Sequence, residues 1–183
     1  MTPPFIEHVV LVNEKDQCVG TMEKMQAHET GRLHRAFSVF VFNHKNELLL
    51  QKRAATKYHS ANLWTNTCCS HQRFGEDTLD AAHRRLMEEM GFDCELEKSF
   101  DFIYKTDFNN GLIEHEFDHV IIGQYDGEIN LNPDEVAEYK FLGLDEIKKD
   151  IILNSENYTF WFKIAFEQIY EQLKFNVPKK LIA

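Results

Sequence analysis

"NTCCSHQRFGEDTLDAAHRRLMEEMGF", residues 66–92, decides the fold. Two adjacent cysteines and a histidine lead into a charged stretch that closes on a glutamate pair and a glycine. From Glu76 to Met90, the residues Leu79, Ala82, Leu86 and Met90 recur on one narrow stripe at helical spacing, which predicts an amphipathic helix. Gly91 stands where a left-handed cap ends such a helix. Arg85 and Glu89 share one side of it, Arg84 and Glu88 another. As plain i,i+4 pairs they are in the less favourable order, arginine first, and stabilise by only about 0.3–0.5 kcal/mol each. Glu89 also borders the apolar stripe, where a carboxylate is more useful to a metal ion than to solvent.

Outward from this helix the chain reads as strands. "EHVVLV" (7–12) and "QCVGTM" (17–22), joined through "NEKD", predict a hairpin. "HRAFSVFVFN" (34–43) is apolar on both faces, as a central buried strand requires. "NHKN" then turns the chain into "ELLLQKR" (47–53), and "LWTNTCC" (63–69) reads as a further short strand. Beyond the helix, "FDFIYKT" (100–106) and "LIEHEFDHVIIGQYD" (112–126) alternate at period two. "EYKFLGL" adds a strand before a short helix near 144–153, and Ser155 is expected to cap a last helix running to about Lys174. The class is α+β, with mixed central sheets flanked by helices.

With 183 residues, 43% of them hydrophobic, the chain is expected to form a single domain over 1–183. A formal charge of −10 argues against nucleic acid or an anionic membrane as partner, since either needs a basic face. The N-terminus has no basic segment followed by a long apolar core, so it does not read as a signal peptide. Cys18, Cys68, Cys69 and Cys94 are accordingly expected to be reduced thiols in the cytoplasm.

Glu114 and Glu116 lie two apart on a predicted strand, so both side chains leave the same face. Read alone, they suit a solvated strand edge. The same face continues through Asp118, Val120 and Ile122, however, and two carboxylates near a buried face repel unless a cation or proton lies between them. His28, His34 and His71 are candidates to complete such a site. Three imidazoles and two carboxylates suit Mn²⁺, Zn²⁺ or Mg²⁺.

Glu76, seven residues, then Arg84-Arg85-Leu86-Met87-Glu88-Glu89-Met90-Gly91-Phe92 resembles a Nudix box, the loop–helix–loop that binds a divalent metal and a diphosphate. Two positions depart from it: Ser70 stands at the first glycine, and Arg85 at a glutamate that Nudix hydrolases use to bind metal. "TNTCCSH" (65–71), "GRLHRAFSVFVF" (31–42) and "IEHE" (113–116), together with this altered box, resemble type I isopentenyl diphosphate isomerases of the Nudix superfamily. The resemblance runs from "GTMEK" (20–24) to Trp161. It departs at Gln72, where many members have proline, and in "HSANLW", which lacks a common proline–glycine.

The resemblance implies a Nudix core over about 31–150, with the N-terminal hairpin and C-terminal helix as additions. It implies interconversion of isopentenyl and dimethylallyl diphosphate, a small-molecule substrate, in a monomer or weak homodimer. His28, His34, His71, Glu114 and Glu116 would bind the inner divalent metal, and Cys69 with Glu116 would form the acid–base pair. Tyr104 would relay or position a proton, and Trp161 would offer a π face to the developing cation. Glu89 would hold a Mg²⁺ that also touches the diphosphate, beside the matching basic positions Lys24, Arg53, Lys57 and Arg85. A Nudix hydrolase of a nucleoside diphosphate derivative is the alternative enzyme, and a metal-stabilised binding module the alternative without turnover.

Overall fold

The computed structural model describes residues 6–175. Residues 1–5 and 176–183, the two ends of the expected domain, lie outside the described residues. In chain order the elements are β1 (His8–Val12), β2 (Cys18–Glu23), α1 (Lys24–Thr30), β3 (His34–Phe42) and β4 (Glu47–Arg53). β5 (Trp64–Thr65), β6 (Cys68–Ser70), α2 (Thr78–Met90), β7 (Leu96–Asp107) and β8 (Ile113–Gln124) follow, then β9 (Val136–Gly143), α3 (Leu144–Leu153) and α4 (Phe160–Phe175).

β3 is the hub because it is apolar on both faces. Phe40 and Phe42 pack with Leu48, Leu50, Val120, Phe162 and Phe166 beneath α4. Phe37, Val39 and Val41 face the other way, onto Leu86 and Met90 of α2. One edge of β3 pairs in parallel with β8 along its whole length, from His34 opposite Glu116 to Phe42 opposite Gln124. The other edge is divided: β1 meets it at His34, β6 at Phe37–Val39 and β4 at Phe42. β7 extends the sheet beyond β8, and β9 beyond β4. The sheet is therefore mixed and curled, with helices against both faces.

Several elements differ from the sequence reading, β7 among them, which begins at Leu96 rather than at 100. The strand expected at 63–69 is split, because the chain crosses from β4 to β3 at Asn66 and Thr67. Thr67 Oγ1 accepts from the Val41 N–H at 2.9 Å and donates to the Leu49 carbonyl at 2.7 Å, replacing ladder bonds with a side-chain clasp. Ser155 does not cap the last helix: it begins a 3-10 turn over Ser155–Asn157, and α4 starts at Phe160. α1 was not expected at all. It is short, but Glu23 accepts from the Met25 and Gln26 N–H groups at its start, and Gly31 takes a left-handed φ of 62° at its end.

α2 begins at Thr78 rather than Glu76, capped by Asp77, and it ends at Gly91 with φ 71° as expected. A Cβ on Gly91 would lie 2.1 Å from the Asn130 carbonyl oxygen, so the position needs glycine for space as well as for φ. No helix among the described residues is long and apolar enough to cross a membrane.

Candidate active site and metal centre

A cavity of about 320 Å³ opens over the β3–β8 face. Its lining includes Cys69, Glu116, Tyr104 and Trp161, the basic residues Lys24, Arg53, Lys57 and Arg85, and Glu89, Glu114 and His71. Every site residue expected from the sequence is on this wall except His28 and His34, which lie just beneath it. Both are fully buried.

The two adjacent cysteines separate as strand geometry demands. Cys68 is fully buried on the α2 side, while Cys69 packs on the α4 side with Tyr104 and Trp161. Burial pushes the Cys69 thiol up to about 12, against the lowering effect of Arg53 and with help from Glu89, Asp118 and Glu116. It is a protonated thiol at neutral pH. All four cysteines are free.

β8 supplies the carboxylates. The Tyr104 hydroxyl, across from Glu116 on β7, lies 2.6 Å from Glu116 Oε2, to which it donates its one hydrogen, and 3.0 Å from Glu114 Oε2. Glu116 Oε1 lies 3.0 Å from His71 Nε2 and 3.4 Å from His34 Nε2. Burial works to raise Glu116, but the two imidazoles more than reverse it and hold its carboxyl well below the usual range. Glu114 goes the opposite way, raised by burial and then by the charge on Glu116. The pair thus carries one negative charge, on Glu116, and one proton, on Glu114.

His28, His34, His71 and Glu116 present donor atoms within 4.8 Å of one another, all buried. His28 Nε2 has no hydrogen-bond partner and His34 Nε2 only its long 3.4 Å approach to Glu116, although buried polar atoms are normally well paired. His28 Nδ1 is committed to the Lys24 carbonyl at 2.8 Å and His34 Nδ1 to the Arg32 carbonyl at 2.8 Å. Backbone carbonyls on one nitrogen, with the other left bare, are the usual setting of metal-binding imidazoles. Burial lowers His28 to about 4, so the ring is neutral and its free nitrogen is a lone pair. These residues fit a divalent cation. Glu114 belongs to a second set, with His28 and His59.

The Arg85 side of the cavity is crowded with ion pairs. Arg85 donates to Glu88 at 2.6 Å, Glu89 at 2.6 Å and Glu135 at 3.2 Å, so the plain i,i+4 pairing of the sequence reading does form. Arg84 makes a bidentate pair with Glu76, at 2.7 and 2.8 Å. Glu89 is buried and accepts a second bond, from Gln51 Nε2 at 2.9 Å. Lys57 pairs with Glu135, and Lys24 with Glu7 at 2.9 Å. Arg53 donates to the carbonyls of Ser60 and His59, both at 3.2 Å, and lies 5.3 Å from the Trp161 ring centroid.

Sequence reasoning missed His59, Gln51 and Glu135. Gln51 sits inside a predicted strand, where an inward-pointing amide in an apolar run was the available signal. His59 and Glu135 lie in irregular segments with no periodicity to point them inward.

A curled mixed sheet carrying this carboxylate helix defines the class: the NUDIX domain family matches residues 32–162. A crystal structure of a Deinococcus radiodurans protein superposes with a TM-score of 0.75 at 20% identity, over 90% of this chain and 99% of that one. A MutT NUDIX hydrolase from Burkholderia pseudomallei gives 0.57 at 20% identity, over 75% and 98%. Both likenesses concern the fold alone.

Sequence similarity narrows the class. The chain is 53% identical, over 89% of its length and 86% of the relative's, to isopentenyl-diphosphate Delta-isomerase 2 of Aromatoleum aromaticum. It is 55% identical to the protein of that name in Photorhabdus laumondii subsp. laumondii, over 86% and 89%. The chain belongs to the isopentenyl-diphosphate Delta-isomerase family of NUDIX-domain proteins.

Proposed function

We propose that this enzyme interconverts isopentenyl diphosphate and dimethylallyl diphosphate, with Cys69 and Glu116 as the proton-transfer pair. One observation carries the assignment of the pair. A protonated thiol on β6 and an ionised carboxylate on β8 reach one cavity from opposite edges of β3. Relatives that bear the isomerase name support the reaction.

An alkene is a very weak base, so its protonation passes through a state with tertiary-carbocation character. Positioned groups must add a proton to one carbon and remove another from the allylic carbon. From the resting protonation states, the Cys69 Sγ–H gives its proton to an alkene carbon and Glu116 accepts the one released. The double bond moves and no P–O bond breaks. Tyr104 positions Glu116 through its hydroxyl, and Trp161 faces the developing cation, an attraction of up to about 2 kcal/mol when desolvated. A divalent cation (Mn²⁺, Zn²⁺ or Mg²⁺) held by His28, His34, His71 and Glu116, with Glu114, supplies charge that orients the carboxylate and sets its proton affinity.

Lys24, Arg53, Lys57 and Arg85 bind the diphosphate, exchanging some of their carboxylate partners for phosphate oxygens. Glu89 is the carboxylate for a Mg²⁺ that arrives with it. Arg85 puts a cation where a hydrolase of this fold keeps a metal-binding glutamate, and isomerisation needs the diphosphate intact. Residues 1–183 act as one domain, the core at about 31–150 extended by the N-terminal hairpin and the last helix.

Incubation with isopentenyl diphosphate and Mg²⁺ in D₂O tests the reading. The expected product is dimethylallyl diphosphate carrying deuterium, with no orthophosphate. Orthophosphate release without deuterium incorporation would mean a hydrolase.

A further inference from the structure

We propose that His59 is a positioning residue for Glu114, holding that carboxylate at the edge of the metal centre through its Nε2 hydrogen. The two glutamates of β8 are disposed alike. Each gives its Oε2 to the Tyr104 hydroxyl, and each turns its Oε1 toward imidazole. For Glu116 the imidazoles are His34 and His71; for Glu114 the nearest is His59, whose Nε2 lies 3.2 Å from Oε1.

His59, His28 and Glu114 likewise present donor atoms within 4.8 Å of one another. They are not a site for a second ion. His28 has only one free nitrogen, since its Nδ1 is taken by the Lys24 carbonyl, and that one nitrogen is common to both sets. A role beside the centre suits His59 better than a role as ligand. Its Nδ1 faces the Ser60 hydroxyl at 3.3 Å, a group able to donate to it, and the tautomer with the ring hydrogen on Nε2 is the one that serves Glu114, 3.2 Å away. An ionised glutamate can only accept, so an N–H donor is what it requires when a cation is bound.

The ring is fixed by its surroundings. Phe108 stacks on it at 4.8 Å and 19°, while Tyr58 at 4.4 Å and Trp161 at 5.9 Å meet it edge-on. Arg53 anchors the backbone carbonyls of His59 and Ser60. The loop that makes the cavity wall thereby also sets one carboxylate of the centre.

The inference rests on reading the cluster as a divalent-cation site, so the test measures metal and not turnover. Zn²⁺ affinity is determined by competition with a chromophoric chelator for the full chain and for His59→Leu and His59→Gln. The Co²⁺ visible spectrum of each is recorded alongside. His59→Leu is expected to weaken Zn²⁺ about 10- to 100-fold, the usual effect of removing a hydrogen bond to a ligand. His59→Gln, which keeps an N–H near the same place, should recover most of that loss with a Co²⁺ spectrum like the wild type. His59→Leu within threefold of wild type overturns the inference, and so does a His59→Gln protein whose Co²⁺ bands show a lost nitrogen ligand. A wild-type chain that takes up no Zn²⁺ would sink the metal centre itself, and His59's role with it.

Discussion

At the residue scale, the side chains that matter are those whose surroundings hold an unusual protonation state. Cys69 keeps its proton because burial outweighs the nearby Arg53, whereas Cys68 is buried on the opposite face of the strand. Replacing Cys69 by Ala is expected to lower kcat about 10²–10⁴-fold, the usual worth of a positioned acid or base, with metal content unchanged. Cys68→Ala should retain most of the activity and lose stability instead. Equal loss of turnover in both variants would show that the wrong thiol has been chosen. For Glu89→Gln, the Mg²⁺ concentration giving half-maximal rate should rise at least about tenfold while the inner-metal stoichiometry stays the same. Parallel loss of both metals would remove the distinction between the two sites. Strand and helix periods put Glu89 beside the apolar stripe and Glu114 and Glu116 on one face, whereas the choice of Cys69 over Cys68, and the role of Glu116, come from the resemblance to the isomerase family. His59 and Glu135 were not legible, since a loop residue reaches the cavity only through the packing around it. For His59 that packing is Phe108, Tyr58 and Trp161.

At the scale of elements, the site depends on β3 being shared. β8 brings Glu114 and Glu116 along one edge, and β6 brings Cys69 and leads into His71 along the other. Thr67 is the hinge of that arrangement, because one hydroxyl satisfies both a β3 N–H and a β4 carbonyl. Thr67→Val keeps the shape and leaves both backbone groups buried without a partner. The expected destabilisation is about 2–6 kcal/mol by denaturant unfolding, from two unsatisfied groups at about 1–3 kcal/mol each. A loss below about 0.5 kcal/mol would mean that the clasp is incidental. The same clasp explains why residues 63–69 read as one strand. Alternation counts side chains on faces, and it carries no sign that the backbone changes partner between Thr65 and Cys68. The other misread ends have similar local causes. A seven-residue α1 is too short to display a period, and Ser155 spends its capping potential on a 3-10 turn. β3, β8 and α2 were read nearly to their ends, the two strands from long apolar runs and the helix from its stripe at helical spacing.

Across the whole molecule, the buried site should make the metal-free protein's stability rise and then fall with pH. Burial lowers His28 to about 4 and His59 to about 3, and also lowers His71 and His119. Each binds its proton more readily unfolded, at about 6.5, so stability gained from these four is complete above that pH and is lost as pH falls toward the folded values. Asp118 acts in the opposite sense: burial and Glu116 raise it to about 8, against the bond from Ser38. Glu114 is raised too. A raised carboxyl favours the native state at low pH, and that advantage declines once pH passes the unfolded value of about 4. Four imidazoles outweigh two carboxyls between about pH 4.5 and 6.5, and only the carboxyls remain between 6.5 and 8. With chelator present, the thermal midpoint should therefore climb to a maximum near pH 6.5 and decline toward pH 8, and Asp118→Asn should shrink the decline. Saturating Zn²⁺ should turn that decline into a rise, because the ion takes deprotonated imidazole and carboxylate and releases their protons. A midpoint that climbs steadily from pH 5 to 8 in chelator would show that the carboxyls on β8 are not held protonated, and that the strand tolerates more than one charge without a cation.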